Sequence, residues 1–515
     1  MRWAGQRPAG AGALVSDAVG RRPSAEAARS RIIASIVAGG LGVLALAVSS
    51  SSAAARASVA RPLSTASLMA KVRHYAAAPD HLSGTARSYA VTDWVSRQLR
   101  ADGMTLGRQA FGFPRFQPRK VSLSVGTVRL PARAIAPLYY SGQTGAAGVS
   151  APLVDGGTGT FDAATVRGKI VVVSVSYIAN AVAVGLYPAI EAARKDGAKA
   201  LIAVSHAPAD DPRFEDTDAR GGAGHLPVLI LGAKTGRRVT AAADAGRSAR
   251  LTLQVRGGRA CDRDVWGVLP GRSPRRRVII GTPVSSYVPA ASERGGGIAV
   301  LLDLARHYAG LPRSKRPETL VFLATSGHEV GFLGLPALIA ARRAWFTGAD
   351  AYVHLGASLG SPEMTERPGG GVTVTRRPDP SGSLYDSENP LLAAVPAAFA
   401  RAGATLTSTP PHVHITGEQA YAYHAGVPVV SFSGSSLYFH TAGDRPGTVD
   451  PALLRAEAIG FRRTIDAIAA LRAGRLRGAN RQAVTYGRAV NPDPTLQSGS
   501  GPQSRNAVRP IARCQ

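Results

Sequence analysis

The regular exchange of short apolar runs between Cys261 and Leu471 constrains this chain most. Val278-Ile279-Ile280 predicts a strand, Gly297 to Tyr308 a helix, Leu320 to Ala324 a strand and Leu333 to Trp345 a helix. Ala351 to Leu355, Val372 to Thr375 and Val427 to Phe432 predict further strands. Pro390 to Ala402 and Pro451 to Leu471 predict helices, the last with Asp450 at its N-cap. Such alternation predicts an α/β fold: a mixed, mainly parallel sheet covered on both faces, with its functional site at the carboxyl ends of the strands.

At 515 residues the chain is too long for one core and long enough for two. Ser67 to Gly103 reads as helical, with Leu68, Val72, Tyr75, Trp94, Val95 and Leu99 at helical spacing and a turn at His81-Leu82-Ser83-Gly84-Thr85. Val121 to Val255 changes character. Ile170 to Val173, Ala198 to Val204 and Leu226 to Ile230 predict strands, and Tyr187 to Asp196 a helix closed by Gly197, as a compact inserted module.

Arg29 and Arg31 precede an apolar stretch, Ile32 to Val48, which leads into serines and then Ala53-Ala54-Ala55-Arg56-Ala57. Positive flank, apolar core and small-residue exit predict an export signal over residues 1–57, cleaved in preference to staying as an anchor. The protein is then secreted or held at the extracellular face. In that setting the two cysteines, Cys261 and Cys514, are expected to pair and pin the C-terminal tail. The tail itself, 489–515, is rich in Pro, Ser, Gly and Gln and is expected to be disordered. A net charge of +28 comes from scattered arginines; only Arg275-Arg276-Arg277 is dense, and it runs straight into an apolar strand. No nucleic-acid partner is therefore expected, and loose association with acidic cell-surface polymers is what the charge leaves open.

Four runs fall at the strand ends: Gly281 to Ser286 with Ala291-Ser292-Glu293-Arg294-Gly295-Gly296-Gly297, Ser326 to Gly334, His354 to Ser358, and Tyr438 to Asp444. Their order and spacing resemble the co-catalytic zinc aminopeptidases of the aminopeptidase Y and bacterial leucyl aminopeptidase type. Val166 to Val171, Ala192 to Ile202 and Leu226-Pro227-Val228 resemble a protease-associated domain, which often sits inside such enzymes. The resemblance implies a phosphorylase/hydrolase-like three-layer sandwich formed by 58–118 and 258–488, with a β-rich α/β protease-associated domain inserted at 119–257. It also implies two zinc ions sharing one carboxylate, and a Glu as general base on the bridging water.

Position by position the chain departs from that pattern. The first metal's His falls on Pro283 and its supporting Asp on Ser285, the bridging Asp on Glu293, the base on His328 and the first metal's own Asp on Gly356. Glu329 and His440 are kept. Glu293, Glu329 and His440 would then hold one zinc ion with an open position for water, with His328 as catalytic base or proton shuttle and His354 as a further candidate ligand. That reading gives an exported aminopeptidase acting on peptides. Its rival is a metal-free fold that binds a peptide or protein without hydrolysing it.

Two other signatures compete. His328-Glu329 invites an H-E-x-x-H zinc site, but position 332 is Phe, so that class fails. Gly356-Ala357-Ser358-Leu359-Gly360 matches a nucleophile elbow and leaves a serine hydrolase using Ser358 as a third reading. His206, His225, His412 and His414 are expected on surface loops, and Gly417-Glu418-Gln419 departs from the family's substrate-facing segment.

Overall fold

The computed structural model describes residues 60–178, 182–219, 224–367, 371–380, 382–386, 394–404, 407–408, 417–472, 475–476 and 514. The expected signal region, nearly all of the tail, and His412 and His414 lie outside them.

Strands whose side chains are buried on both sides read as continuous β-branched runs, and these form the centre of the first sheet. Arg277–Pro283, Thr319–Thr325, Ala351–Leu355 and Val429–Ser433 pair in parallel, with 277–283 between 319–325 and 351–355. Val278 and Ile280 point into one apolar cluster with Ile298 and Leu301, whereas Ile279 points into another with Leu335, Leu338 and Tyr423. This alternation makes three layers from one sheet. The helix Gly296–Ala309 is buried through most of its length and lies against the sheet. Gly297 permits the approach, since a Cβ there would stand 2.5 Å from the Thr282 hydroxyl. The helix Pro451–Ala470 starts as expected, with the Asp450 carboxylate accepting from the amides of Ala452 and Leu453.

Three features differ from expectation. A long antiparallel pair, Thr105–Pro114 with Arg259–Leu269, extends the sheet beyond 319–325. Its first strand is largely exposed, so no apolar run announces it. Val372 to Thr375 belongs to a separate hairpin, Val372–Pro378 with Pro362–Glu366, and not to the main sheet. The helix expected over Leu333 to Trp345 is broken at Arg342 into Gly334–Ala341 and Arg343–Thr347.

Residues 117–256 fold around a second eight-stranded sheet. Its centre is the parallel set Val149–Asp155, Ile170–Ser174, Ala200–Val204 and Val228–Leu231, covered by the helices Leu186–Lys195 and Ala233–Asp244. The second of these helices was not expected, because its sequence, Ala-Lys-Thr-Gly-Arg-Arg-Val, is mostly polar. Both sheets belong to one compact unit, Val59–Gln515. Cys261 and Cys514 are joined by a disulfide, the pairing expected from the sequence.

Candidate functional site

The carboxyl ends of the parallel strands bring Glu293, Glu329, His440 and His328 into one region, as the sequence predicts. Glu293 does not begin a regular helix. Ala290 sits in the left-handed region at φ +50°, and Ala291–Gly295 form a wide π-type turn ahead of the helix. Asp444 fixes that turn, its two carboxylate oxygens each accepting a backbone N–H, from Ser292 and from Glu293, at 2.9 Å. Burial lifts the Asp444 pKa to about 6 against the pull of these donors.

The turn directs Arg294, as well as Glu293, into the site. Nη2 of Arg294 lies 3.0 Å from Glu293 Oε1 and donates to Glu329 Oε1 at 3.0 Å, while its Nε donates to the Ser285 carbonyl at 3.1 Å. His440, in the left-handed region at φ +58°, turns Nε2 to within 3.2 Å of Glu293 Oε1 and places Nδ1 2.9 Å from the Phe214 carbonyl. Burial alone would lower the His440 pKa. The carboxylates of Glu293 and Asp216 outweigh it and raise the value to about 9, so the ring is an imidazolium at neutral pH.

His328 belongs to a different network. Its Nδ1 faces Glu418 Oε2 at 3.3 Å, and Glu418 Oε1 accepts from the Thr325 hydroxyl at 2.6 Å. Burial, helped by the Arg294 charge, holds His328 well below its usual pKa, and burial lifts Glu418 to about 7. His354 does point inward, but towards Ser431 at 2.9 Å and Glu418 at 3.9 Å rather than towards Glu293 or His440. Ser358 has the left-handed backbone of a nucleophile elbow, φ +58°, yet among the described residues its buried hydroxyl has no hydrogen-bond partner. Without a base against it, the serine reading has no support.

Two positions where the resemblance places metal ligands are used otherwise. Ser285 uses its carbonyl on Arg294 and its hydroxyl on the His328 amide. At Gly356 even a Cβ would meet Ser433 Oγ at 2.0 Å and the Phe432 carbonyl at 2.5 Å, so the position has no room for a carboxylate.

The inserted module reaches across this region. Phe214 N–H donates to the His440 carbonyl, Thr217 N–H to the Glu329 carbonyl and Ala219 N–H to the Val330 carbonyl, at 3.0, 3.1 and 3.0 Å. Arg213 donates to the carbonyls of Phe439 and Leu437, and the Tyr287 hydroxyl donates to those of Glu215 and Glu329. Asp216 arrives 3.7 Å from His440 Nε2. Under this cover Glu293, Arg294 and Glu329 are each 1% exposed and His440 3%. Phe214 and Tyr287 also line a cavity of about 610 Å³, together with Phe113, Phe116, Tyr139 and Tyr140.

No protein-family model and no curated protein sequence matches the chain. Solved structures do match it. A zinc aminopeptidase from Bacillus subtilis, BSAP, superposes with a TM-score of 0.62 at 18% identity over 79% of this chain and 95% of its own. The fold is that of the M28 aminopeptidases. A peptidase M28 precursor from Shewanella amazonensis gives 0.62 at 18% identity over 79% of this chain and 92% of its own. An aminopeptidase from Aneurinibacillus sp. strain AM-1 gives 0.55 at 19% over 80% and 94%.

The first of these relatives is a zinc enzyme, so the residues of this chain can be tested against that ion. They do not fit it. A zinc ion coordinated by Glu293 and Glu329 would lie about 2 Å from oxygens that already hold a guanidinium nitrogen at 3.0 Å, forcing two cations together. Among the described residues, no three His, Cys, Asp or Glu side chains are arranged to hold a metal ion.

Sequence reasoning missed Arg294, Asp216, Asp444 and the pairing of Glu418 with His328. Arg294 carried a signal of its own: an arginine directly before Gly295-Gly296-Gly297-Ile298 stands at the head of a helix whose first two turns are Gly and apolar residues.

Proposed function

We propose that this is an exported peptide- or protein-binding module built on an aminopeptidase fold, without hydrolytic activity of its own. The cover that residues 213–219 place over His440, Glu293 and Glu329 carries this reading: main-chain hydrogen bonds close the region where a peptide bond would have to enter. The aromatic cavity beside Tyr287 is the binding place, with rings to stack on side chains and Arg115 and Gln117 at its edge. The insert is read as a protease-associated domain, and the Cys261–Cys514 disulfide suits an oxidising compartment.

One observation favours the rival reading, removal of N-terminal residues with a single zinc on Glu293, Glu329 and His440 and His328 near the water. Among the described residues, both oxygens of Glu293 and Oε2 of Glu329 are buried without a hydrogen-bond partner. The test is a panel of aminoacyl p-nitroanilides with and without zinc, run beside a peptide array. No turnover, with peptide binding lost in Tyr139→Ala, is expected. Turnover abolished by His440→Ala would overturn the binding reading.

A further inference from the structure

We propose that Arg294 is a built-in cation that fills the charge role a metal would have, and that removing its guanidinium lets Glu293, Glu329 and His440, which as they stand are not arranged to hold a metal, close on one divalent ion. This goes beyond the absence of hydrolysis, because it says what replaced the ion and what would bring it back.

Two carboxylates at 1% exposure cannot stay ionised in a protein interior without a cation beside them. Here that cation is part of the chain. A single nitrogen of Arg294 reaches one oxygen of each carboxylate, and Nε is tied to the Ser285 carbonyl. A guanidinium does not lose its proton in proteins, so the charge is permanent. It is also poorly shaped for the task. One nitrogen lies 3.0 Å from one oxygen of each acid but hydrogen-bonds only to Glu329 Oε1, and among the described residues both oxygens of Glu293, Oε2 of Glu329 and Oδ1 of Asp216 have no hydrogen-bond partner. The unused oxygens are hard donors, and His440 Nε2, 3.2 Å from Glu293 Oε1, adds a nitrogen donor once a metal displaces its proton. Arg294 directly follows Glu293, so truncating it removes the competing cation without moving any donor to another element.

The experiment uses the untagged full chain and zinc alone, read by bound-zinc stoichiometry after gel filtration and by thermal melting. Wild type is expected to retain less than about a tenth of an equivalent of zinc and to melt at the same temperature with or without it. Arg294→Ala is expected to melt lower than wild type without zinc. With zinc it should retain about one equivalent and recover stability, and adding His440→Ala should abolish both effects. Arg294→Lys keeps a cation and should exclude zinc as wild type does. If Arg294→Ala folds only when zinc is supplied, the proposal is supported. Failure to fold even with zinc, a folded Arg294→Ala that takes up none, an Arg294→Lys that behaves like it, or a wild type carrying stoichiometric zinc would each overturn it. An inert wild type whose Arg294→Ala variant ignores zinc would sink this inference and leave the binding reading standing.

Discussion

Glu457 offers a test of how burial controls the stability of the ground beneath the site. It lies on the helix Pro451–Ala470, is 2% exposed, and its Oε2 accepts the Gly360 N–H at 2.7 Å. That contact holds the turn 356–360, where Gly360 adopts φ +75° and the Ser358 amide donates to the Glu293 carbonyl. Burial raises the Glu457 pKa from 4.5 to about 8, against the stabilising pull of the Gly360 amide. A carboxyl whose folded pKa is raised gives stability that is fully present below about pH 4.5 and is lost as pH climbs through 8. A gap of this size corresponds to roughly 3 to 5 kcal/mol across that window. Glu457→Gln keeps an oxygen for Gly360 and removes the titration. Relative to wild type, the variant should gain those few kcal/mol between pH 5 and pH 9, read from urea midpoints followed by tryptophan fluorescence. Glu215, Asp216 and Glu418 are shifted upward by burial as well, so wild type alone should also lose stability as pH rises. The difference between the two proteins isolates Glu457. Parallel midpoint curves across that range would refute the reasoning.

Three further outcomes follow from particular contacts. Asp303 is fully buried and takes the Leu63 amide, the Ser67 hydroxyl and the Lys71 ammonium, docking the N-terminal helix Thr65–Tyr75. Asp303→Ala leaves Lys71 uncompensated and should cost about 3 kcal/mol in urea unfolding, with early proteolysis near Arg73 as the visible sign. Phe461 packs edge-on against Phe399 at 5.0 Å in the layer behind the sheet, so Phe461→Ala should cost roughly 3 to 5 kcal/mol in the same assay. Tyr287→Phe removes the one O–H shared between the Glu215 and Glu329 carbonyls; it should cost about 1 kcal/mol and speed hydrogen exchange at the Thr217 and Ala219 amides, while unchanged exchange would show that the cover is held elsewhere.

The four parallel strands were legible because burial on both faces makes their sequences short, nearly continuous apolar runs rich in β-branched and aromatic residues. The pair 105–114 and 259–269 was not. It mixes Gly, Arg and Gln with Asp262 and Asp264, whose burial depends largely on partners far along the chain: the Ser88 and Ser326 hydroxyls and the Gly84 and Ser326 amides. The candidate site divides in the same way. Glu293, Glu329 and His440 could be placed together because strand ends converge in any sheet of this topology. Arg294 could not, since in a regular helix adjacent side chains diverge by about 100° and one beside Glu293 should face elsewhere. The π-type turn, forced by Ala290 and held by Asp444, cancels that divergence and aims both side chains at the same point. Arg294 therefore supplies positive charge from the turn itself, 3.0 Å from both Glu293 and Glu329, while across the site Ser433 and the Phe432 carbonyl pack on Gly356 too closely to leave room for an acid there.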